Sequence, residues 1–403
     1  MEDKKIVMKF GGSSVSTTER IKDVAQLIIH RKEKYNHIIV VVSAMGDTTD
    51  NLLSLANRLS KQPYNKEIDM LLSSGEIVSA SLLAMHLIDL GYPAQSFTGF
   101  QAGLKTRGQH RKSQIENINP NKILEALSLD KIVIVAGFQG MNAEGEITTL
   151  GRGGSDTSAV ALAAKLNARC EIYTDVAGIY TVDPRIRPNA KKLKQINYEE
   201  ALEMANLGAK VIAARSVELA AKYNVPLYIA LNTGNVEGTC ISNKEEKLMS
   251  ENMEEILLTN ISKIDDVLMV NLENLEKIDK NVIHCFVELA DANINVDLLN
   301  QMLLKDHHPA VSFTAHQEDK DGIITILDKL EFDYLMVENL SKVSIIGSDM
   351  RHQVGVAAEA FRVFVEEDIP YYMVSTSDIS ISYVVDTENA KQLINAFADR
   401  FGL

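Results

Sequence analysis

The chain of 403 residues is poor in several residue types, with no tryptophan, three cysteines and eight prolines. Cys170, Cys240 and Cys285 lie far apart without a CxxC motif, which argues against a disulfide framework or a zinc site and is typical of a reduced cytosolic protein. Long apolar runs are lacking too, since those at 38–42 and 132–136 have the length of strands and cannot cross a bilayer. No secretory signal follows the first residues. We therefore expect a cytoplasmic protein without a membrane partner.

The chain also has fewer positive than negative residues: 41 Lys and Arg against 55 Asp and Glu, which gives a formal net charge of −14. Nucleic acids and anionic membranes both need a basic face, so neither is expected as a partner. An anionic ligand must instead be held by a few local cations and backbone amides. The apolar fraction of 46% is typical of a globular protein, and the length suits two or three domains.

Residues 1–242 alternate short β-branched runs with longer segments of helical period, which predicts an α/β domain with a largely parallel sheet. The predicted strands and helices are 6–10, 16–35, 37–43, 66–90, 131–138, 157–166 and 170–174. Ser16-x-x-Glu19 predicts a capping box at the first helix, and a glycine-rich hairpin is predicted over 140–145.

Residues 243–403 have a different sequence pattern. Residues 243–254 are polar and charged and indicate a linker, followed by two small α+β units over 255–335 and 336–403, contiguous or interleaved along the chain. A weak repeat supports two units, since 286–295 resembles 361–370, each a predicted helix leading into a strand. Such units suit ligand sensing and oligomerisation, or simple stacking without a ligand.

Two glycine-rich segments indicate anion binding. Lys9-Phe-Gly-Gly-Ser-Ser14 joins a predicted strand to a helix, so its amides and the lysine charge suit phosphate oxygens, although it lacks the Walker A spacing. Gly151-Arg-Gly-Gly-Ser-Asp156 precedes an alanine-rich helix, where Arg152 could clamp a carboxylate and Asp156 could orient Lys9 or a metal-bound phosphate. The alternatives are an ordinary turn in the first segment and a simple helix cap at Ser155 or Asp156 in the second.

Glu76 stands inside an otherwise apolar helix, where an unpaired carboxylate is costly. It belongs either to a buried ion pair or to a site for a cation such as an amino group, and we favour the second. The segment 174–185, polar and rich in turn residues, is either a ligand loop or an ordinary one.

Five motifs in order resemble the aspartokinase family, the aspartate-specific branch of the amino acid kinases. They are Lys9-Phe-Gly-Gly-Ser-Ser, Val42-Ser-Ala-Met-Gly46, Ser74-Gly-Glu76, Thr149-Leu-Gly-Arg-Gly-Gly-Ser-Asp156 and Thr174-Asp-Val-Ala-Gly-Ile-Tyr-Thr-Val-Asp-Pro-Arg185. The resemblance implies a three-layer amino acid kinase fold with a largely parallel central sheet, followed by two small α+β ACT-like domains.

The resemblance also implies an activity, transfer of the γ-phosphoryl group of ATP to the β-carboxylate of L-aspartate. The product would be 4-phospho-L-aspartate, the first step towards lysine, threonine and methionine, with Mg²⁺ bound mainly through the phosphates. Two alternatives are a kinase for glutamate or a related acid, and a non-catalytic amino-acid sensor on the same scaffold. Intact Lys9, Arg152 and Asp156 speak against the sensor.

By the same resemblance, Lys9 bridges the transferred phosphoryl group and Asp156 organises the reacting centre. The aspartate site would comprise Arg152 on the α-carboxylate, Glu76 on the α-ammonium, and Ser43, Thr49 and Ser155. The nucleotide site would comprise Lys9, Gly11, Gly12, Ser13, Thr174, Asp175, Tyr180, Arg185 and Lys210. One departure lies nearby, because Ala213 and Ala214 stand where relatives carry His-Pro.

The ACT resemblance rests on 293–297, 343–350 and 375–378. It implies a homo-oligomer formed through these units, with feedback inhibition by lysine and threonine as a second candidate effector. The candidate effector residues are Asp297, Gln301, Met350, Ser375 and Asp378. Asp297 could instead be an exposed carboxylate at a strand end. The first ACT loop (276–280) lacks the usual Pro-Gly, and the second (351–355) keeps the glycine alone.

Overall fold

The computed structural model describes residues 4–209, 211–243, 258–275, 280–303, 309–347, 350 and 355–403. The chain forms two compact units. The first comprises Met1–Tyr180, Lys192–Asn206 and Lys210–Met249, and the second comprises Thr181–Lys191, Leu207–Ala209 and Ser250–Leu403. Residues 244–257, which include most of the predicted linker, lie outside the described part.

The first unit contains twelve strands and seven α-helices among its described residues. The strands are β1 (Lys5–Phe10), β2 (His37–Val42), β3 (Ala94–Phe97), β4 (Leu104–Arg107), β5 (Gln114–Ile118), β6 (Ile132–Ala136), β7 (Gln139–Met141), β8 (Ile147–Thr149), β9 (Arg169–Thr174), β10 (Gln195–Ile196), β11 (Leu227–Leu231) and β12 (Thr239–Ile241). The helices are α1 (Thr18–Lys32), α2 (Thr48–Leu59), α3 (Asn65–Asp89), α4 (Asn121–Ser128), α5 (Gly154–Leu166), α6 (Tyr198–Asn206) and α7 (Ala214–Tyr223).

An eight-stranded sheet in the order β10-β12-β11-β9-β1-β2-β6-β3 forms the centre of this unit. Only the β11–β12 pair is antiparallel, which confirms the predicted largely parallel sheet. Alternate residues of β1 and β2 pack with α1 and α3 in one core, and α5 contacts β1, β2 and β9. Because parallel strands end at one edge, the loops after β1, β2 and β9 share that edge.

A smaller sheet, β5-β4-β7-β8, contains the predicted glycine-rich hairpin, formed by β7 and β8. β8 ends at Thr149, so the second glycine-rich loop follows this hairpin almost directly in the chain.

Two predicted helix starts were wrong. α1 begins at Thr18, and the Thr17 side chain accepts a hydrogen bond from the backbone N–H of Arg20 at 3.2 Å. Ser16 instead donates its hydroxyl to the carbonyl of Ser13, so the predicted capping box is absent. α5 begins at Gly154, after a left-handed Gly153, so Ser155 and Asp156 lie in the first turn and are not caps.

α3 is long and apolar enough to cross a membrane by length and composition, the one such helix in the described residues. Half of its most apolar window is nevertheless buried inside the protein, and Ala80, Leu83 and Leu87 belong to the main core. A core helix of a globular unit shows this pattern.

The second unit is built on one six-stranded antiparallel sheet in the order β14-β15-β13-β16-β18-β17. Its elements are β13 (Asn260–Glu273), α8 (Lys280–Asp291), β14 (Leu299–Leu303), β15 (Pro309–His316), α9 (Lys320–Lys329), β16 (Asp333–Ile346), α10 (Val356–Glu367), β17 (Met373–Thr376), β18 (Ser380–Asp386) and α11 (Thr387–Phe401).

Three hydrophobic clusters lie along the two 14-residue strands β13 and β16, and two of them join the sheet to helices. One core joins the second half of β13 to α8 and α9, and the other joins the second half of β16 to α10 and α11. The predicted repeat is visible in the helix ends. Asn293 and Asp368, 75 positions apart, are both left-handed, and the residue after each donates its N–H back into the helix, to Leu289 and Phe364.

Candidate active site

The first glycine-rich loop follows β1 directly. Gly11 and Gly12 leave the sheet and enter a short 3₁₀ turn, Gly12–Val15. The N–H of Gly46, in the loop after β2, donates to the carbonyl of Gly12 at 3.1 Å, and the N–H of Ser43 donates to the carbonyl of Phe10 at 3.1 Å. The loops after the two central strands are therefore joined to each other, and Ser13 is exposed at their edge.

The second glycine-rich loop meets the first at an ion pair. The Lys9 ammonium lies 2.6 Å from Oδ1 of Asp156, and each side chain is only about one-eighth exposed, at 12% and 13%. Asp156 is placed by the first turn of α5, which packs on β1. The sequence-predicted cation and carboxylate therefore share one location at the carboxyl edge of the sheet.

Glu76 is 3% exposed and points at the loop after β2. Its Oε1 accepts the N–H of Ala44 at 3.2 Å, whereas its Oε2 is buried without a hydrogen-bond partner. Burial is the main cause that raises the Glu76 pKa to about 7, and hydrogen bonds from backbone N–H groups, including that of Ala44, act in the opposite direction. An unpartnered carboxylate oxygen of this kind can accept a donor such as an ammonium group.

Gly75 allows this approach. A Cβ added at Gly75 would lie 2.8 Å from the Cβ of Ala44, so any larger residue would push α3 away from the loop. The Ser74-Gly-Glu76 sequence thus sets how closely Glu76 approaches the carboxyl end of β2.

The other predicted aspartate-site residues surround these loops. Ser43 and Thr49 are half-buried, in the loop after β2 and in the first turn of α2, and Ser155 is 7% exposed in the first turn of α5. Arg152 is exposed, and within the described part of the chain its guanidinium has no partner. Its charge is therefore available to a ligand.

The predicted nucleotide residues are less closely grouped. Thr174 ends β9 and donates its hydroxyl to Asp175 at 3.0 Å, and Tyr180 is half-buried. Arg185 belongs to the second unit and forms an ion pair with Asp183 at 2.6 Å, which holds the Asp183 pKa below its usual value. Lys210 lies outside the described residues. Their assignment to a nucleotide site stays a prediction.

The replacement of His-Pro by Ala213 and Ala214 lies against the second glycine-rich loop. Ala213 packs directly on Gly153, and α7 begins at Ala214. Two residues into α7, Ser216 lies 3.2 Å from the hydroxyl of Thr157 on α5. Small residues at this position therefore let α7 lie close to the loop.

The effector candidates are spread over different parts of the second unit. Gln301 is exposed on edge strand β14 and Asp297 precedes that strand, while Ser375 lies on the other edge strand, β17, and Asp378 is exposed after it. Met350 packs on the core that contains α10 and α11. Within one chain the five residues therefore do not form a single site.

Asp297 is more than an exposed strand-end carboxylate. Its carboxylate pairs with the ammonium of Lys342, whose side chain is only 1% exposed on β16. A buried ammonium needs such a counter-ion, so any effector that binds Asp297 must share it with Lys342.

One further carboxylate, Asp69, was not singled out in the sequence. It lies on α3 seven residues before Glu76, is fully buried, and accepts hydrogen bonds from three residues near the second glycine-rich loop. The signal was available, because Asp69 is a carboxylate within the same apolar helix as Glu76.

Comparisons with known proteins agree with this architecture. Residues 4–231 match the amino acid kinase family, and residues 343–401 match the ACT domain. An aspartokinase of Geobacillus stearothermophilus is 46% identical over 400 residues, 99% of this chain and 97% of the relative.

Two solved structures of aspartokinase III from E. coli, each 25% identical, are also similar. The complex with aspartate and ADP (R-state) gives a TM-score of 0.83 over 99% of this chain and 100% of that one. The complex with lysine and aspartate (T-state) gives 0.78 over 98% and 99%.

The parallel sheet and its two converging glycine-rich loops define a phosphotransferase domain of the amino acid kinase type, here combined with an ACT domain. Transfer from ATP is the chemistry of this class. The chain belongs to the aspartokinase family and is an ATP-dependent kinase with a carboxylate acceptor.

Proposed function

We propose that this kinase transfers the γ-phosphoryl group of ATP to the β-carboxylate of L-aspartate and forms 4-phospho-L-aspartate. The observation that carries the proposal is the arrangement of charges at one sheet edge. Lys9 and Asp156 meet there, the buried Oε2 of Glu76 lacks a partner, and the Arg152 charge is free within the described residues. An α-amino acid needs one anion and one cation to fix it, in addition to the phosphoryl-transfer residues.

Each residue then has a task in the reaction. The acceptor carboxylate is already ionised at neutral pH, so no general base is needed and catalysis consists of positioning and charge stabilisation. Glu76 would bind the α-ammonium and Arg152 the α-carboxylate, with Ser43, Thr49 and Ser155 around them. Lys9, held by Asp156, would meet the charge on the transferred group.

ATP would lie across the first glycine-rich loop, with its phosphates on the amides of Gly11, Gly12 and Ser13. We propose that Mg²⁺ is bound mainly through the phosphate oxygens, because the neighbouring carboxylate, Asp156, is already paired with Lys9. When bound, the ion would neutralise phosphate charge. The remaining nucleotide contacts are assigned to Thr174, Asp175, Tyr180, Arg185 and Lys210.

Regulation is proposed for the second unit, as two ACT-like domains (255–335 and 336–403, contiguous or interleaved along the chain) after a linker (243–254). Lysine is the first candidate effector because the related E. coli enzyme has been solved with lysine bound, and threonine is the second. Since Gln301 and Ser375 lie on opposite edge strands of the sheet, a complete site would draw them from two chains of a homo-oligomer. The reaction would be the first step of lysine, threonine and methionine synthesis in the cytoplasm.

ADP release in a coupled assay tests the proposal, with four acceptors at equal concentration. L-Aspartate should give turnover, and L-glutamate should give little. Succinate lacks the α-ammonium and β-alanine lacks the α-carboxylate, so both should be poor acceptors if Glu76 and Arg152 hold those groups. Glutamate as the preferred acceptor, or no acceptor-dependent ADP release, would contradict the proposal.

A further inference from the structure

Residues that do not belong to the proposed site form hydrogen bonds that hold the chain next to the second glycine-rich loop. Thr149 ends β8, two residues before Gly151, and its hydroxyl donates to Oδ1 of Asp69 at 2.5 Å. The backbone N–H of Arg111 donates to both oxygens of the same carboxylate, at 3.1 and 3.0 Å. His110 Nδ1 lies 2.8 Å from Oδ2 of Asp69. One buried carboxylate therefore joins a strand end, a connecting segment and α3.

The backbone at Arg111 packs directly against Gly151 of the second glycine-rich loop. Arg111 has a left-handed backbone with φ of 68°, an unfavourable conformation for a residue with a side chain, so the hydrogen bond at its N–H helps to keep it there. A Cβ added at Gly151 would lie 2.9 Å from the Arg111 carbonyl oxygen. The position of Arg111 thus limits where Gly151, and with it Arg152, can lie.

A second support comes from α7. Arg215 donates from its two terminal nitrogens to the carbonyl of Leu150 at 2.9 Å and to the carbonyl of Ser113 at 3.0 Å. The N–H of Ser113 donates to the carbonyl of Thr149 at 3.1 Å. The chain immediately before Gly151 is therefore fixed on the Asp69 side and on the α7 side.

Asp69 and Glu76 lie on one helix. Seven residues are about two turns, so both side chains leave α3 on the same side, and both are buried. Glu76 faces the loop after β2, and Asp69 holds the loop that carries Arg152. α3 thereby sets the separation between the two charges that would bind an α-amino acid.

We propose that Asp69, through Thr149 and Arg111, is a positioning residue that fixes Arg152 relative to Glu76 and so determines affinity for the α-carboxylate of the acceptor. The inference rests on the proposed function for its kinetic consequence. Its structural content, order in the loop 151–154, is independent of catalysis.

Thr149→Val is the test variant, because it removes one hydrogen bond to Asp69 with little change in shape. Thr148→Val is a matched control. Thr148 is the neighbouring residue on β8 and is equally buried, and its hydroxyl pairs with that of Thr106 at 2.6 Å instead of with Asp69. Any general effect of losing a buried hydroxyl from β8 should appear in both variants.

Hydrogen exchange of the amides of 151–154 in the free protein is the first measurement. Thr149→Val should exchange faster than the unsubstituted chain, and Thr148→Val should not. Steady-state kinetics is the second. The KM for aspartate should rise about tenfold in Thr149→Val, as expected for one hydrogen bond to a charged group, with the KM for ATP nearly unchanged.

A double-mutant cycle separates positioning from general loosening. Arg152→Ala should raise the aspartate KM strongly in the unsubstituted chain and much less in Thr149→Val, because the clamp is already displaced there. Equal exchange of the amides of 151–154 in the unsubstituted chain, Thr149→Val and Thr148→Val would overturn the inference. Additive effects of Arg152→Ala and Thr149→Val on the aspartate KM would also overturn it. Absence of aspartate-dependent turnover in the unsubstituted protein would instead overturn the proposed function, and the exchange measurement would still decide the role of Asp69.

Discussion

At the scale of single residues, the site depends on two carboxylates in different states of pairing. Asp156 is matched with Lys9, so its charge is compensated before any ligand arrives. Glu76 has one oxygen bonded to the Ala44 amide and one buried oxygen without a partner. In the proposed function, the first arrangement would hold the catalytic cation in place, and the second would receive a cation from the substrate.

Replacing Lys9 with alanine should lower kcat by about 10²–10³ while the protein stays folded, since a charge-stabilising donor would be lost from the transfer step. The coupled ADP assay and a thermal melt measure the two effects. Lys32→Ala is the control, because Lys32 also pairs with an aspartate, Asp130, at 2.7 Å, but on the surface at the end of α1. Near-normal turnover in Lys9→Ala would remove Lys9 from the mechanism.

Aspartate binding should depend on pH through Glu76. Its pKa is raised to about 7 by burial, so below pH 7 the free protein holds a neutral Glu76 that must lose its proton to bind an ammonium. The KM for aspartate should therefore rise as pH falls from 8 to 6, by up to about tenfold per pH unit below the pKa. Glu76→Gln should bind aspartate poorly and lose this pH dependence.

The same raised pKa predicts that the ionised form of Glu76, which favours aspartate binding, lowers the stability of the fold. An acid with a higher pKa in the folded state destabilises the fold above its unfolded value of 4.5, and the full cost is reached above pH 7. Denaturant unfolding should show Glu76→Gln to be more stable than the unsubstituted protein at pH 8, by up to about 3 kcal/mol, with little difference at pH 4. Equal stability at both values of pH would argue that Glu76 is not a buried, unpaired acid.

At the scale of elements, periodicity predicted the central strands and α3 well. β1 and β2 are short and mostly buried, β2 is almost entirely β-branched, and α3 differs from its predicted bounds by one residue at each end. Helix starts were predicted less well, because Ser16 and Thr17 are both good caps and only the path of the chain selects Thr17. Local pattern finds an element but does not choose between adjacent capping residues.

The same limit applies to the site. Both glycine-rich loops and Glu76 could be found from residue type and context. The contacts of Asp69 could not, since its partners Arg111 and Thr149 lie 42 and 80 residues away in sequence. The spacing of residues along the chain does not predict such long-range contacts. The packing of α3 against β8 brings Asp69 close to Thr149.

Gly75→Ala should test the approach of α3 to the loop after β2. The new methyl group would lie 2.8 Å from the Ala44 side chain, so α3 must shift and carry Glu76 with it. We expect destabilisation of about 1–3 kcal/mol from overpacking, and a loss of up to about 10²-fold in kcat/KM for aspartate. Ser74→Ala, an exposed change on the preceding residue, should alter neither quantity. Unchanged aspartate kinetics in Gly75→Ala would show that this contact does not position Glu76.

At the scale of the whole molecule, lysine should inhibit turnover through the second unit if the proposed regulation holds. Gln301→Ala should weaken this inhibition, with basal turnover unchanged, because Gln301 is exposed on an edge strand and its loss leaves no buried gap. Asn300→Ala is the control, since adjacent residues of β14 point to opposite faces. Dose–response curves for lysine at fixed aspartate measure the effect. Identical inhibition in both variants would exclude Gln301 from the effector site.

The two long strands of the second unit have a mechanical consequence. β13 and β16 each contribute residues to both helix-facing cores and pair along most of their length, with an irregular register between Ile264 and Met269, so the two cores share one sheet. A small molecule that twists the strands beside one core must also alter the strand angles under the other. The two halves should consequently unfold together in calorimetry, in a single cooperative transition.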